Sequence, residues 1–596
     1  MAARLQHRGP DGYGLFSEFG IALACQRLAI VDVAGGHQPI STEQGDVVLV
    51  CNGEIFNHRA LRHGLEQRGH RMATASDVEV ILHLYEERGD ACLELLDGQF
   101  AVALYDRTRR RLLLARDRMG IAPLFWTRIP GGIAFASEIK GLLAHPAVGR
   151  AIDVTGIDQV FALPGLVSPR TAVAGVHSLP PGHALVADAQ GVRTHAWWDL
   201  EYPTVDVPPT EASSDAWAEA LGAALKEAVA RRLQGEVPVG AYLSGGLDSS
   251  LIVALLKELG VASDCFSIGF TEGAVDERAH QRHVVAATGG RHHLIEQGVT
   301  DISARFERMI WHAECPVKES YNTASLALAD AAHAAGMKVI LSGEGADELF
   351  GGYPGYRVDA AGVGAHDDLL EGDLRAQVFG HRDVRYEAPL RPARQRRQVL
   401  YAEAIQADFE AVDCLEHALV DGARLRGRHP LHQRSYLDCK LRLADHLLGD
   451  HGDRMAMAAS VEARFPFLDQ AVVALAQQMP PHMKLRLVEG RWVAKAVVRD
   501  VARGRLPAGI VARDKMGFHA PGTPTLLQRA PEFLADVLSP ARIARQGVFD
   551  PAAVAALQAR HAVPGFRLDL PFEDDPLMVV VSTSVLMDVF ELSPPT

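Results

Sequence analysis

VPVGAYLSGGLDSSLIVALLKELG (237–260) is the stretch that decides the fold. Its apolar start, 237–243, reads as a buried strand, and LIVALLKELG reads as a helix closed by Gly260. Between them SGGLDSS (244–250) is a turn of small residues at a helix N-terminus, where consecutive backbone N–H groups can hold phosphate. It is not the P-loop of ATPases, because no lysine follows in the GxxxxGK[ST] spacing. Asp248 stands there instead, a carboxylate able to hold Mg²⁺ against pyrophosphate. The bland alternative is a tight strand–helix turn that merely uses Gly, Ser and Asp.

KVILSGEGADELFGGY (338–353) repeats the layout of strand, glycine-rich turn and helix, and brings Glu344, Asp347 and Glu348 to the strand's end. Asp347 is expected to share the cation with Asp248, and Glu344 to handle a proton or orient an attacking group. A helix start with acids in its first turn is the alternative. CFSIGF (265–270) reads as another strand, and 216–233 and 278–288 as helices. Strands alternating with helices predict an α/β fold, a doubly wound parallel sheet with ligands at the strands' carboxyl ends. Past residue 400 the pattern is mainly helical. RPARQRRQ (391–398) reads as a solvated basic helix face and DRMAMAASVEARFPFLD (453–469) as a helix. Asp445, His446, Asp450, His451 and Asp453 read as ordinary helix-surface residues, and His292–His293 likewise, since no metal-ligand spacing links them.

The first 200 residues are β-rich. DVVLVCNGE (46–54), QFAVALYD (99–106), RLLLARD (111–117) and GIAFASE (132–138) read as strands, with helix-spaced segments at 60–69 and 78–89. YPTVDVPPTEASSD (202–215) has no apolar period and reads as the boundary. The expected domains are therefore 1–200 and 216–590, joined by a linker at 201–215.

With 596 residues, 48% hydrophobic and 22% charged, the chain is not of a disordered class. Seven cysteines with no CxxC pair exclude a disulfide scaffold and point to a reducing, cytoplasmic setting. A net charge of −14 disfavours nucleic acid as a partner. No apolar run reaches the ~18–20 residues that span a bilayer, and the first residues lack the apolar core of a secretory signal. Small molecules are the expected partners.

Over essentially its whole length the chain resembles the glutamine-dependent asparagine synthetase family. The resemblance rests on RGPDG (8–12), QRLAIVDV (26–33), CNGEIFNH (51–58), SDVEVIL (76–82), LDGQFAVALYD (96–106), ARDRMGIAPLF (115–125) and SEIKGLL (137–143). After the boundary it rests on LSGGLDSS, FSIGF, ILSGEGADELFGGY, DRMAMAASVEARFPFLD and LPAGIVARDKMGF (506–518). It implies an N-terminal Ntn-hydrolase-like αββα sandwich, shortened at its front, that releases ammonia from glutamine into an internal tunnel. A PP-loop synthetase domain would then adenylate a carboxylate, most often L-aspartate, with ATP and Mg²⁺, and ammonia would displace AMP. Ser244, Gly245, Gly246, Asp248, Ser249 and Ser250 would bind pyrophosphate, and Asp248 with Asp347 the Mg²⁺. Ile268, Ser342 and Gly343 would line the adenine site. Glu344 and Lys515 would be catalytic, Lys515 being one of only nine lysines; a solvated surface lysine is the alternative. Arg454 and Glu462 would border the acceptor or nucleotide site, or form a structural ion pair. In the first domain Arg27 would pair with the glutamine carboxylate, Asp77 with its α-amine, and Asn52 and Gly53 would form the oxyanion hole beside Glu54. A specialised amidotransferase or a β-lactam-synthetase-like cyclase acting on another carboxylate is the other reading, and family members are often dimers.

The departure is at the front. Family members carry, after the initiator Met, a Cys whose own α-amine activates its thiol; here position 2 is Ala and seven residues precede RGPDG. Neither Cys25 nor Cys51 has a free α-amine. Two expectations stand: a start upstream of Met1, or a domain that has lost hydrolysis and serves as scaffold. As written, the chain is expected to take free ammonia and not glutamine. β-Lactam synthetase relatives also lack that Cys, but Glu344 and the glutamine pocket speak against a cyclase.

Overall fold

The computed structural model describes residues 1–595 except 209, 273–275, 363–368, 388, 516, 519 and 569–573; Met516 of the RDKMGF motif thus lies outside the described residues. In the first half a six-stranded antiparallel sheet runs in the order Gly191–Ala196, His183–Asp188, Arg111–Arg116, Gly98–Asp106, Val47–Ile55, Ile40–Ser41. The strand Val47–Ile55 shows why: Val47, Leu49 and Cys51 point to one face and Val48 and Val50 to the other. Both faces are covered, so the strand reads as a continuous apolar run. On the first face lie the helices His58–Gln67 and Val80–Arg88, packed through Leu65, Ile81 and Leu84. On the second lie the hairpin Gly12–Glu18/Ile21–Arg27 and a three-stranded sheet of Gly132–Ala136, Phe125–Ile129 and Val176–Ser178. Helices Ile139–Leu143 and Val154–Ala162 cover that sheet through Leu142 and Ile157. This is the αββα sandwich.

The second half is built on a five-stranded, all-parallel sheet in the order Arg291–Gln297, Asp264–Phe270, Val239–Tyr242, Val339–Leu341, Glu462–Arg464. Val239–Tyr242, first in the chain, lies in the middle, so the strand order reverses around it. Crevices at such reversals, outside the strands' carboxyl ends, are where open α/β sheets bind ligands. The helix Leu247–Glu258 is buried along most of its length because the sheet and the helices Ser214–Arg231 and Ala496–Ala502 enclose it. No helix among the described residues is long and apolar enough to cross a membrane.

Three readings of the sequence are corrected here. Residues 453–469 are not one helix: Arg454–Met457 is helical, but Glu462–Arg464 is the edge strand, with Leu341 opposite Arg464. Val461 and Ala463 are buried against neighbours, which favours the extended form. The basic run is not wholly solvated, because Arg397 is buried and bonds Asp158 at 2.9 and 3.0 Å and Asp413 at 2.8 Å. Nor are the residues 445–453 surface decoration. They lie on a π-wound helix, Cys439–Asp453, where Asp445 pairs with Arg116 (3.0 Å) and Asp453 with Arg8 (2.7 Å), tying the two halves together.

Candidate active site

The turn after Val239–Tyr242 is preformed. Ser244 N–H donates to Ser249 Oγ (3.2 Å), the two serine hydroxyls lie 3.0 Å apart, and Gly246 N–H donates to Ser244 Oγ (3.2 Å). Gly245 has φ +79°, a conformation a side chain would strain. Arg513, two residues before Lys515, donates to the Gly245 carbonyl at 3.1 Å. The neighbouring turn packs directly on this one: a Cβ at Gly343 would stand 2.9 Å from Ser249 N and 3.1 Å from Asp248 Cβ. Ile268 is buried in the adjacent strand, its carbonyl accepting from Gln281, and Ser342 N–H donates to the Arg464 carbonyl at 2.9 Å.

Asp248 and Asp347 converge, through a residue that no motif announced. Lys495 Nζ stands 2.5 Å from Asp248 Oδ2 and 2.7 Å from Asp347 Oδ1, and Lys515 Nζ donates to Asp347 Oδ2 at 2.8 Å. The cluster is tight enough that a Cβ at Gly352 would fall 1.9 Å from Asp347 Oδ1. Lys495 holds a left-handed backbone (φ +52°), which costs energy in a lysine and is characteristic of functional sites. The scarcity of lysine in the sequence was the only signal that could have found it. Burial would raise the Asp347 pKa, but Lys495 and Lys515 outweigh it and hold the carboxylate ionised. Asp248 Oδ1 is buried with no hydrogen-bond partner. Two convergent carboxylates with a free oxygen fit a hard divalent cation such as Mg²⁺.

Glu344 is partly exposed at the mouth of this cluster and makes no hydrogen bond or ion pair among the described residues. Its pKa is raised, first by burial and then, against Lys515, by Asp347 and Asp248. Glu348, fully buried, is pushed up to about 8 by burial and by Asp347 and Glu344, against a hydrogen bond from Tyr353. A carboxyl that ordinarily titrates near 4.5 is thus held protonated by the fold. Stability from this proton is complete below the ordinary value and is lost as pH rises toward about 8. Glu348→Gln is therefore expected to flatten the fall in urea midpoint between about pH 5 and about pH 8.

Beside this cluster the residues 445–453 build a buried polar chain that sequence reasoning passed over. Tyr321 Oη lies 2.6 Å from His446 Nε2, and His446 Nδ1 lies 3.1 Å from both oxygens of Asp450. Asn322 Nδ2 also donates to Asp450 (3.1 Å), and His451 Nδ1 lies 3.0 Å from Ser325 Oγ. Tyr321 precedes the helix Asn322–Ala334, whose Thr323 accepts from Gln297 at the carboxyl end of its strand, and it contacts Phe518 ring to ring. Arg454 is buried over the Phe125 ring. His293 stacks on Phe266 and bonds Asp264, a strand-edge role.

In the first half the five expected glutamine contacts meet. Arg27, Asn52, Gly53, Glu54 and Asp77 all line one cavity of about 650 Å³, together with Glu462 from the second half. Gly53 has φ +135°, and a Cβ there would meet the Gln99 carbonyl at 1.9 Å, so only glycine fits. Asn52 Nδ2 is buried with no partner, a donor available to a ligand. Burial raises the Asp77 pKa to about 6 despite the Ile55 N–H bonded to it at 2.7 Å. Arg27 donates to the Asp32 carbonyl (2.7 Å), and the Glu54 carboxylate is taken by Arg464 (2.5 Å). Cys25 and Cys51 also line the cavity, but burial pushes both thiols up, Cys25 to about 11, the opposite of an activated nucleophile.

Arg464 links the two sites. It is fully buried, pairs with Glu54 across the interface and with Glu462 at 2.7 Å, and donates to the Arg232 and Gln234 carbonyls. Its own carbonyl accepts from Ser342 at the start of the second glycine-rich turn.

Comparison with known proteins finds matches to both halves of the chain. The asparagine synthase family matches residues 220–578 and the glutamine amidotransferase domain matches residues 1–198. Amidase chyE from Penicillium rubens is 31% identical over 564 residues, 86% of this chain and 83% of that protein. Asparagine synthetase [glutamine-hydrolyzing] 3 from Bacillus subtilis is 30% identical over 560 residues, 90% of this chain and 86% of that protein. Asparagine synthetase [glutamine-hydrolyzing] 2 from Arabidopsis thaliana is 31% identical over 541 residues, covering 87% and 74%.

Proposed function

Because the chain belongs to the asparagine synthase family and is a glutamine-dependent carbon–nitrogen ligase, we propose that it converts L-aspartate to L-asparagine through an acyl adenylate. The observation that carries this reading is the meeting of Asp248, Asp347, Lys495 and Lys515 at the ends of adjacent parallel strands. In it the backbone N–H groups of the 244–250 turn hold the leaving pyrophosphate, and Ile268, Ser342 and Gly343 border the adenine. Asp248 and Asp347 would hold Mg²⁺, which neutralises phosphate charge when bound. Lys495 and Lys515 answer the negative charge that builds as the carboxylate attacks the α-phosphate. Glu344, with its raised pKa, takes the proton that the attacking ammonia must lose. Arg27, Asn52, Gly53, Glu54 and Asp77 form the glutamine pocket on the other side of Arg464. A cytoplasmic enzyme acting on small molecules, as a homodimer, completes the proposal.

The likeness to amidase chyE favours a second reading, a specialised amidotransferase with another carboxylic acid as acceptor. ATP–pyrophosphate exchange separates the two. Exchange driven by L-aspartate, with AMP and amide formed when ammonium is added, is the expected result. Exchange with a different acid alone would move the chain to the second reading, and exchange with no acid would end both.

A further inference from the structure

A second cluster, away from the strand ends, has the geometry of a metal site. His83 and Glu86 lie one turn apart on the helix Val80–Arg88, and His70 follows the helix His58–Gln67. Both imidazoles aim the same nitrogen at the same oxygen: Nδ1 of His83 is 3.1 Å and Nδ1 of His70 is 3.7 Å from Glu86 Oε2. The three ligand atoms lie within 4.8 Å of one another. Donors that share one ion at ~2 Å stand ~3–4 Å apart, so the separations suit a common cation with little movement.

The outer nitrogens supply a second, independent observation. His70 Nε2 faces Glu87 Oε1 at 3.0 Å, a carboxylate also held by Arg68 at 2.6 Å. His83 Nε2 faces Glu79 Oε1 at 3.7 Å and is buried with no hydrogen-bond partner, in a side chain only 2% exposed. A carboxylate behind the His70 imidazole is what orients a histidine around a metal, leaving the inner nitrogen's lone pair for the ion. Two nitrogens and one oxygen suit a borderline transition metal, whereas Mg²⁺ and Ca²⁺ take oxygen donors. His70 and Glu86 are partly exposed, which gives the ion a route in.

We propose that His70, His83 and Glu86 bind one divalent transition-metal ion of the Zn²⁺ type, which clamps the segment 69–77 to the helix Val80–Arg88. That segment is already anchored to the same helix entry, since Glu79 accepts from the N–H groups of Ala73 (2.6 Å) and Thr74 (2.8 Å). It ends at Asp77, in the wall of the large cavity, so the ion would stiffen one side of that pocket. The inference stands on this cluster alone and does not depend on the acceptor named above.

The test is calorimetric titration of the full chain, stripped with chelator, with zinc chloride, alongside His70→Asn and Glu86→Gln. Both substitutions fall on partly exposed residues, and thermal melts check that the variants fold. The wild type is expected to bind one equivalent of Zn²⁺ more than the variants, or to bind that equivalent at least ~10-fold more tightly. Zn²⁺ is also expected to slow hydrogen exchange in peptides spanning 69–77 in the wild type and not in the variants. Equal stoichiometry and affinity in all three proteins would overturn the proposal, as would unchanged exchange in that segment. Zn²⁺ held elsewhere, by Asp248 and Asp347 for example, binds the variants and wild type alike and leaves that difference of one equivalent unchanged.

Discussion

Asp347→Asn is expected to lower ammonia-dependent AMP formation by ~10³-fold and to lower the urea midpoint as well, because it leaves buried lysine charge less fully paired. The substitution keeps size and shape but removes the charge on which two lysines converge, at 2.7 and 2.8 Å. Lys495 and Lys515 would then stand as neighbouring cations with Asp248 the only carboxylate paired to either, at 2.5 Å from Lys495. Their repulsion would spread the cluster, and the pair of oxygens suited to Mg²⁺ would be halved. Lys495→Met approaches the same cluster from the other side and is expected to cost a comparable factor, with loss of ATP–pyrophosphate exchange. Exchange retained within about threefold in both variants would show that chemistry lies elsewhere, because preorganised charges of this kind are ordinarily worth 10²–10³ or more.

Arg464→Leu is expected to destabilise the chain by ~3–5 kcal/mol, the cost typical of leaving a buried charge without its partner. Arg464 is fully buried and Glu54 is 3% exposed, so neither can turn to water when the other is removed. Glu54 already leans toward protonation: burial raises its pKa strongly, and Arg464 is the main influence lowering it. In the variant Glu54 would take up a proton or force the interface open, and the Arg232 and Gln234 carbonyls would lose their donor. Adding Glu54→Gln is expected to recover part of the loss, and the double-mutant cycle measures the pair. Additive effects of the two changes would mean that the bond at 2.5 Å carries no coupling. Because Ser342 N–H rests on the Arg464 carbonyl, the same variant is also expected to weaken ATP–pyrophosphate exchange beyond its effect on stability.

Much of this could be read from the chain. The helix expected at 278–288 is Arg278–Thr288, and the strands expected at 46–54, 99–106, 111–117, 132–138, 237–243 and 265–270 are present with shifted ends. Gly245 was legible as a turn position from its SGGLDSS neighbours, whereas the close approach at Gly53 to the Gln99 carbonyl appeared only in the structure. The five residues expected from the resemblance to contact glutamine line one cavity. What was misread was misread for a common reason. Glu462 looked helical because Ala and Met around it favour helices, yet sheet pairing with Val339 overrode that propensity. His446 and Asp450 looked like surface residues because a polar residue's burial depends on partners such as Tyr321 and Asn322, far away in sequence.

Most element types, the parallel sheet, two glycine-rich strand–helix turns and the family were legible in the chain, since these follow from spacing, glycine and short motifs within one or two turns of chain. Only the tertiary structure decided which charges meet. Lys495 reaches both Asp248 and Asp347, Arg464 joins the cavity of the first half to the turn at Ser342, and His70 finds His83. Ion pairs and ligand sets are set by distance and burial in three dimensions, where a charge removed from water must find its partner wherever the fold brings one.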